Sequence, residues 1–145
     1  MTNNIQISCI LNTNNPTAKL GFEAWVDDQK FIDIEHVTDE QQILIEISDN
    51  EAEHELKFIM KNKSSDDTVI DENGNIITNA MLSLKDISID EIPLGQNFTK
   101  LSVYKHDFNG TSASIDDQFY DEMGCNGIVS LKFTTPVYLW FLEQL

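Results

Sequence analysis

Apolar and polar residues alternate along this chain in short runs, and turn-forming residues interrupt the runs every eight to twelve positions. That is the sequence form of antiparallel strands with one dry and one wet face. Ile5, Ile7, Cys9 and Leu11 alternate with Gln6 and Ser8, predicting a first strand that ends in Asn12-Thr13-Asn14-Asn15-Pro16. Leu20, Phe22, Ala24 and Val26 then share one face, and Glu23, Trp25 and Asp27 the other. Asp28-Gln29 reads as the turn into a second hairpin arm from Phe31 to Val37. After Thr38-Asp39-Glu40 come a strand from Ile43 to Ile47 and another in which Leu56, Phe58 and Met60 alternate with Lys57, Ile59 and Lys61. The stretch from Lys63 to Asp67 is polar and reads as a loop.

The longest candidate runs from Ala80 to Ile92, where Leu82 and Leu84 have one parity and Ile87 and Ile89 the other. One extra residue near Lys85-Asp86, a β-bulge, restores a single buried face. Leu101 to Tyr104 and Ile128 to Phe133 bring the count to about eight strands, an all-β antiparallel sandwich. Asn73-Gly74, Asn109-Gly110 and Asn126-Gly127 are pairs suited to tight turns. At the C-terminus Thr135 is a candidate N-cap with Pro136 at the first helical position, and Val137, Trp140, Phe141 and Leu145 recur at helical spacing. Val137, Leu139 and Phe141 also alternate, so a short helix and a strand both remain open for residues 136–145.

With 145 residues, 41% of them hydrophobic, the chain is read as one domain spanning 1–145. No apolar run approaches the ~18 residues of a spanning helix, and the N-terminus lacks the basic start and apolar stretch of a signal peptide. Synthesis in a reducing cytoplasm is therefore expected. Cys9 and Cys125 form no disulfide framework and are expected as free thiols. Charge narrows the partners further: 25 acids face 9 bases, all lysine, for a net charge of −16. Without arginine there is no bidentate guanidinium to read guanine or clamp phosphate. The negative field also disfavours nucleic acid and anionic membrane surfaces. Cations, neutral ligands such as sugars, and other proteins remain.

Enzymatic motifs are absent: there is no P-loop, GxSxG, GxGxxG or HExxH, so no catalytic residue is expected. The three histidines lie on separate elements, and His36 and His54 read as half-exposed strand residues. A long irregular stretch, 106–126, is dense in the oxygens that calcium requires. Asp107, Asn109, Asp116, Asp117, Asp121 and Glu122 are its candidate ligands, with solvated surface acids as the competing reading. Asp66, Asp67 and Asp71 form a weaker cluster read as solvated. Tyr104, Phe108 and Tyr120 are candidates for a sugar-stacking platform or for the core, and Phe119-Tyr120 for a plug at the sandwich end. Trp25, on the polar face of its strand, marks a contact surface. Trp140 belongs to the longest apolar run, Val137 to Leu142, which either closes the sandwich or meets a partner.

Four stretches carry a family resemblance: Trp25-Val26-Asp27-Asp28, His54-Glu55-Leu56-Lys57-Phe58, Leu84 to Asp90, and Cys125-Asn126-Gly127-Ile128. With them the chain resembles the calcium-dependent, xylan-binding type of carbohydrate-binding module. The resemblance implies a jelly-roll-like sandwich, a calcium ion held between Asp107 and Glu122, and a glycan ligand. It departs from that family in lacking a second loop cysteine to pair with Cys125. Gly124 to Gly127 and Thr135 to Trp140 are similar to segments of small virion proteins of marine tailed phages, particularly those infecting cyanobacteria. This implies a structural or adhesion subunit that resides in the virion and contacts other virion proteins or copies of itself.

Overall fold

A strand with apolar residues at every second position can dry that face only against another layer, and two such sheets satisfy each other. The computed structural model has this arrangement. It describes residues 4–64, 68–106, 115–119, 121–124 and 126–144, with the side chains of 68, 77, 78, 115 and 117 not among them. Asp107, Phe108, Asn109, Tyr120 and Cys125 therefore lie outside the described residues, as do Asp66 and Asp67.

The first half of the chain contains β1 (Asn4–Thr13), β2 (Gly21–Val26), β3 (Gln29–Ile34), β4 (Gln41–Ser48), β5 (Glu53–Lys61), β6 (Thr68–Ile70) and β7 (Ile76–Asn79). There follow β8 (Leu82–Ile89), β9 (Ile92–Pro93), α1 (Gln96–Leu101), β10 (Val103–His106), β11 (Ile115–Asp117), β12 (Glu122–Met123), β13 (Gly127–Thr134) and α2 (Val137–Glu143). One sheet has five strands in the order β12-β8-β1-β4, with β9 on β8; the other has six, β11-β10-β13-β5-β2-β3. All ladder pairs in them are antiparallel. The chain changes sheet between β1 and β2, back between β3 and β4, and again between β4 and β5, so both sheets are assembled from distant segments.

Inward residues are those of the alternating pattern. Ile5, Ile7, Cys9 and Leu11, with Ile43, Ile45, Leu82, Leu84, Ile87 and Ile89, face Phe22, Ala24, Val26, Leu56, Phe58, Met60, Val129, Leu131 and Phe133, all buried. An aromatic chain continues the core, with ring centroids 5.8 Å apart for Phe22–Phe58, 6.2 Å for Phe58–Phe98 and 5.7 Å for Phe98–Phe119. Phe119 is thus part of the core, while Tyr120, its companion in the expected plug, lies outside the described residues. The β8 bulge also lies where the parity switch requires it. Ser8 opposes Ser88 and Ile10 opposes Lys85, so two steps on β1 match three on β8, and Asp86 takes φ 54° with Lys85 and Asp86 both turned to solvent.

Several expectations are corrected. The 80–92 strand is confined to Leu82–Ile89, because Asp90 and Glu91 adopt left-handed φ (53° and 64°) and turn the chain into β9. The hairpin arm after β2 ends at Ile34, and Asp27, φ 56°, makes its turn. Leu101 closes helix α1 instead of opening a strand; the helix buries only Phe98, so it leaves no periodic signal. The Asn73-Gly74 turn, with Gly74 at φ 84°, joins two short strands, β6 and β7, that leave Val69, Ile70 and Ile76 exposed. Residues 137–143 are helical, but Thr135 does not cap them. Its hydroxyl accepts the Ala52 N–H at 3.1 Å and its own N–H donates to the Ala52 carbonyl at 3.1 Å, tying α2 to the β4–β5 connection. Among the described residues no helix is long and apolar enough to cross a membrane.

Candidate functional site

Because Phe22, Ala24 and Val26 point inward, Glu23 and Trp25 must point outward from the six-stranded sheet. Register sets their neighbours. Trp25 lies opposite Lys57 and Lys30, and Lys57 continues across to Ser130 and Val103. The adjacent row runs Asp33, Glu23, Ile59, Ile128, Lys105, Asp116. Ile59 and Ile128 therefore form an apolar pair at the middle of the face, while Trp25 and Val103 stand toward either end of the neighbouring row with Lys57 and Ser130 between them.

A hydrogen-bonded frame fixes the indole. Trp25 Nε1 donates to Glu23 Oε1 at 2.8 Å, and Lys61 Nζ donates to Glu23 Oε2 at 2.8 Å and to Asp33 Oδ1 at 2.6 Å. Lys30 Nζ donates to Asp33 Oδ2 at 2.9 Å and stands 5.8 Å from the Trp25 ring centroid, within cation–π range. The Lys61 hydrogen bond, then that from Trp25, holds the Glu23 carboxyl below its ordinary pKa; Lys61 and then Lys30 do the same for Asp33. Asp33 and Glu23 in turn raise the Lys61 ammonium. Solvent screens pairs this exposed, so the frame orients the ring more than it stabilises the fold.

Charge on this face differs from the rest of the molecule. Among the described residues it carries five of the nine lysines, Lys30, Lys57, Lys61, Lys105 and Lys132, against Glu23, Asp33, Glu53, Glu55 and Asp116. The face is balanced, and the net −16 resides elsewhere.

At one end of the same sheet, Asp27 and His54 line a cleft of about 470 Å³ together with Glu55, Lys132 and Trp140. His54 shares the inward parity of Leu56, Phe58 and Met60; it is buried, with its ring centroid 5.5 Å from that of Phe133. This corrects the half-exposed expectation for His54. Its Nδ1 meets Asp27 Oδ2 at 2.7 Å and its Nε2 meets Asn50 Oδ1 at 2.9 Å, while Asp27 Oδ1 accepts the Glu55 N–H at 2.9 Å. Burial, the largest single influence, acts to raise the Asp27 pKa. The hydrogen bonds from His54 and Glu55, with the charges of His54 and Lys57, outweigh it and hold the carboxyl below its ordinary range. With both ring nitrogens engaged, His54 clamps the β2–β3 turn to the β4–β5 turn. His36, by contrast, is exposed, its Nε2 2.8 Å from the Pro16 carbonyl.

The other candidate residues are dispersed. Tyr104 is buried, tilted against His106 with centroids 4.6 Å apart and edge-on to Phe119 at 6.3 Å, so it is core and not a platform. Trp140 is only 7% exposed and packs edge-on against Phe133 at 6.2 Å, which makes it core as well. Of the calcium candidates, Asp116 belongs to the six-stranded sheet, whereas Asp121 and Glu122 lie beside β8 in the five-stranded one, all three exposed. Among the described residues no three His, Cys, Asp or Glu are grouped to hold one ion; Asp107 and Asn109 lie outside that set. Cys9 is a buried free thiol whose pKa burial pushes up to about 12.

Sequence reasoning placed Trp25 on the wet face but missed the lysines that share it, although Lys57, Lys61 and Lys132 have outward parity in their strands. No family model matches the chain, and no curated protein or solved structure matches it.

Proposed function

We propose that this chain is a non-catalytic structural or adhesion subunit of a tailed-phage virion, acting through surface contact on the outer face of the six-stranded sheet. The observation that supports contact there is the oriented Trp25, between Lys57 and Lys30 on a face without net charge in a −16 protein. Assignment to a virion rests on the resemblance of Gly124–Gly127 and Thr135–Trp140 to segments of such proteins. Other virion proteins or further copies of the chain are its partners, and its field disfavours nucleic acid and membrane. Peptide mass spectrometry of purified particles from a phage encoding the chain tests this: recovery in stoichiometric amounts supports the assignment, and absence from the particles overturns it.

A second reading, a free-standing calcium-dependent carbohydrate-binding module, is favoured by the same indole. Its ring is half-buried and framed by Glu23, Lys30 and Asp33, the combination of stacking surface and hydrogen-bonding groups that a neutral sugar needs. Titration of the chain with xylo-oligosaccharides, followed by tryptophan fluorescence, separates the readings. Saturable quenching that Trp25→Ala abolishes supports the glycan reading; its absence removes it.

A further inference from the structure

We propose that the outer face of the six-stranded sheet docks a second copy of this chain, the two sheets stacking face to face about a twofold axis parallel to the strands. The proposal rests on the reading of this face as the contact surface and names its occupant.

Three observations lead to it. The first is charge. Two bodies of −16 repel wherever acidic surfaces meet, whereas the face with five lysines and five acids can approach its own copy without net repulsion. The second is layout. Ile59 and Ile128 occupy the centre beside Lys57 and Ser130, Trp25 and Val103 lie toward the two ends of that neighbouring row, and Lys30, Asp33, Lys105 and Asp116 stand further out. Ile128 and Val103 are 37% and 42% exposed, apolar surface that a monomer leaves in water. The third is size. Strands of three, four, eight, nine, six and six residues, at about 3.3 Å per residue and 4.8 Å spacing, present roughly 570 Å², so two copies would bury about 1,100 Å² in total, just above the ~1,000 Å² that a specific interface needs.

Register then specifies the docking. In the order β11-β10-β13-β5-β2-β3, an axis between β13 and β5 exchanges β13 with β5, β10 with β2 and β11 with β3. Within one row Ile128 of one copy faces Ile59 of the other, and Lys105 faces Glu23; in the next row Val103 faces Trp25. Each contact occurs twice, as an isologous interface requires. Asp116 and Asp33 also oppose one another, at the rim, where Lys30 and Lys61 already neutralise Asp33.

Sedimentation equilibrium of the full chain tests the proposal. A concentration-dependent monomer–dimer equilibrium is expected for the wild type. Ile128→Glu, at an exposed position outside the core, should weaken it at least tenfold. Lys105→Glu should weaken it by a similar factor, and adding Glu23→Lys should recover part of the loss. Lys85→Glu, an equal charge change on the five-stranded sheet, should leave it unchanged. A wild type that stays monomeric at its solubility limit, or a dimer that tolerates Ile128→Glu, overturns the proposal. A monomer that still quenches with xylo-oligosaccharides through Trp25 would retain the face as a contact site while losing the second copy. A dimer absent from virions would retain the interface while losing the virion assignment.

Discussion

Trp140→Ala removes the side chain with which α2 closes one end of the sandwich. The indole is 7% exposed, meets Phe133 edge-on at 6.2 Å and has Phe141 at 6.5 Å. A buried tryptophan hides roughly 150–250 Å², which at about 25 cal/mol per Å² amounts to ~4–6 kcal/mol. Since α2 is short and terminal, the site can partly collapse around the missing ring, which favours the ~3–5 kcal/mol usual for truncating a large aromatic residue. For a chain of this size each kcal/mol shifts the midpoint by roughly 2–4 °C, so Tm should fall by about 6–20 °C. Thermal and urea unfolding followed by circular dichroism measure it. Leu142→Ala, two residues further along the helix and 61% exposed, serves as the control and should shift stability by no more than about 0.5 kcal/mol. A Trp140→Ala variant within about 1 kcal/mol of wild type would refute the core assignment and make the ring a surface group.

The carboxyl of Asp27 titrates below its ordinary range in the folded chain, so the stability it contributes is present above the unfolded aspartate pKa of about 3.9 and is lost as pH falls through the lower folded value. Asp27→Asn should therefore narrow the stability gap between neutral pH and pH ~3 in urea titrations; an unchanged pH profile would show that the His54 contact does not stabilise the folded state. In a Cys125→Ser variant the remaining thiol, Cys9, should resist thiol reagents in buffer and react fully in denaturant, because it is buried and its pKa stands at about 12. Prompt reaction in the native protein would contradict that burial. If the carbohydrate-module reading holds, millimolar calcium should raise Tm by linkage to the folded state, and the Asp116→Asn, Asp117→Asn double variant should lose the rise; a flat response returns these acids to the solvated surface.

Alternation along single strands reports which face of a sheet each residue occupies, and this information is local. It suffices to place Ile5, Ile7, Cys9 and Leu11 inward, Trp25 outward, and the bulge between Leu84 and Ile87, because the pleat has a period of two whatever the strand pairs with. Even His54 carried its signal, since it shares the parity of Leu56, Phe58 and Met60. Helix α1, with Phe98 as its only buried side chain, gave no periodicity to read. At 137–143 the apolar residues fit two periods, and packing of Val137 and Trp140 against the sandwich end selected the helix. Pairing between distant segments lies beyond local pattern. That Asp27 meets His54, that Lys61 spans Glu23 and Asp33, and that five lysines from four strands gather on one sheet all depend on strand order and register. Those are set by how the whole set of apolar faces is buried at once, a condition that no single stretch of the chain contains.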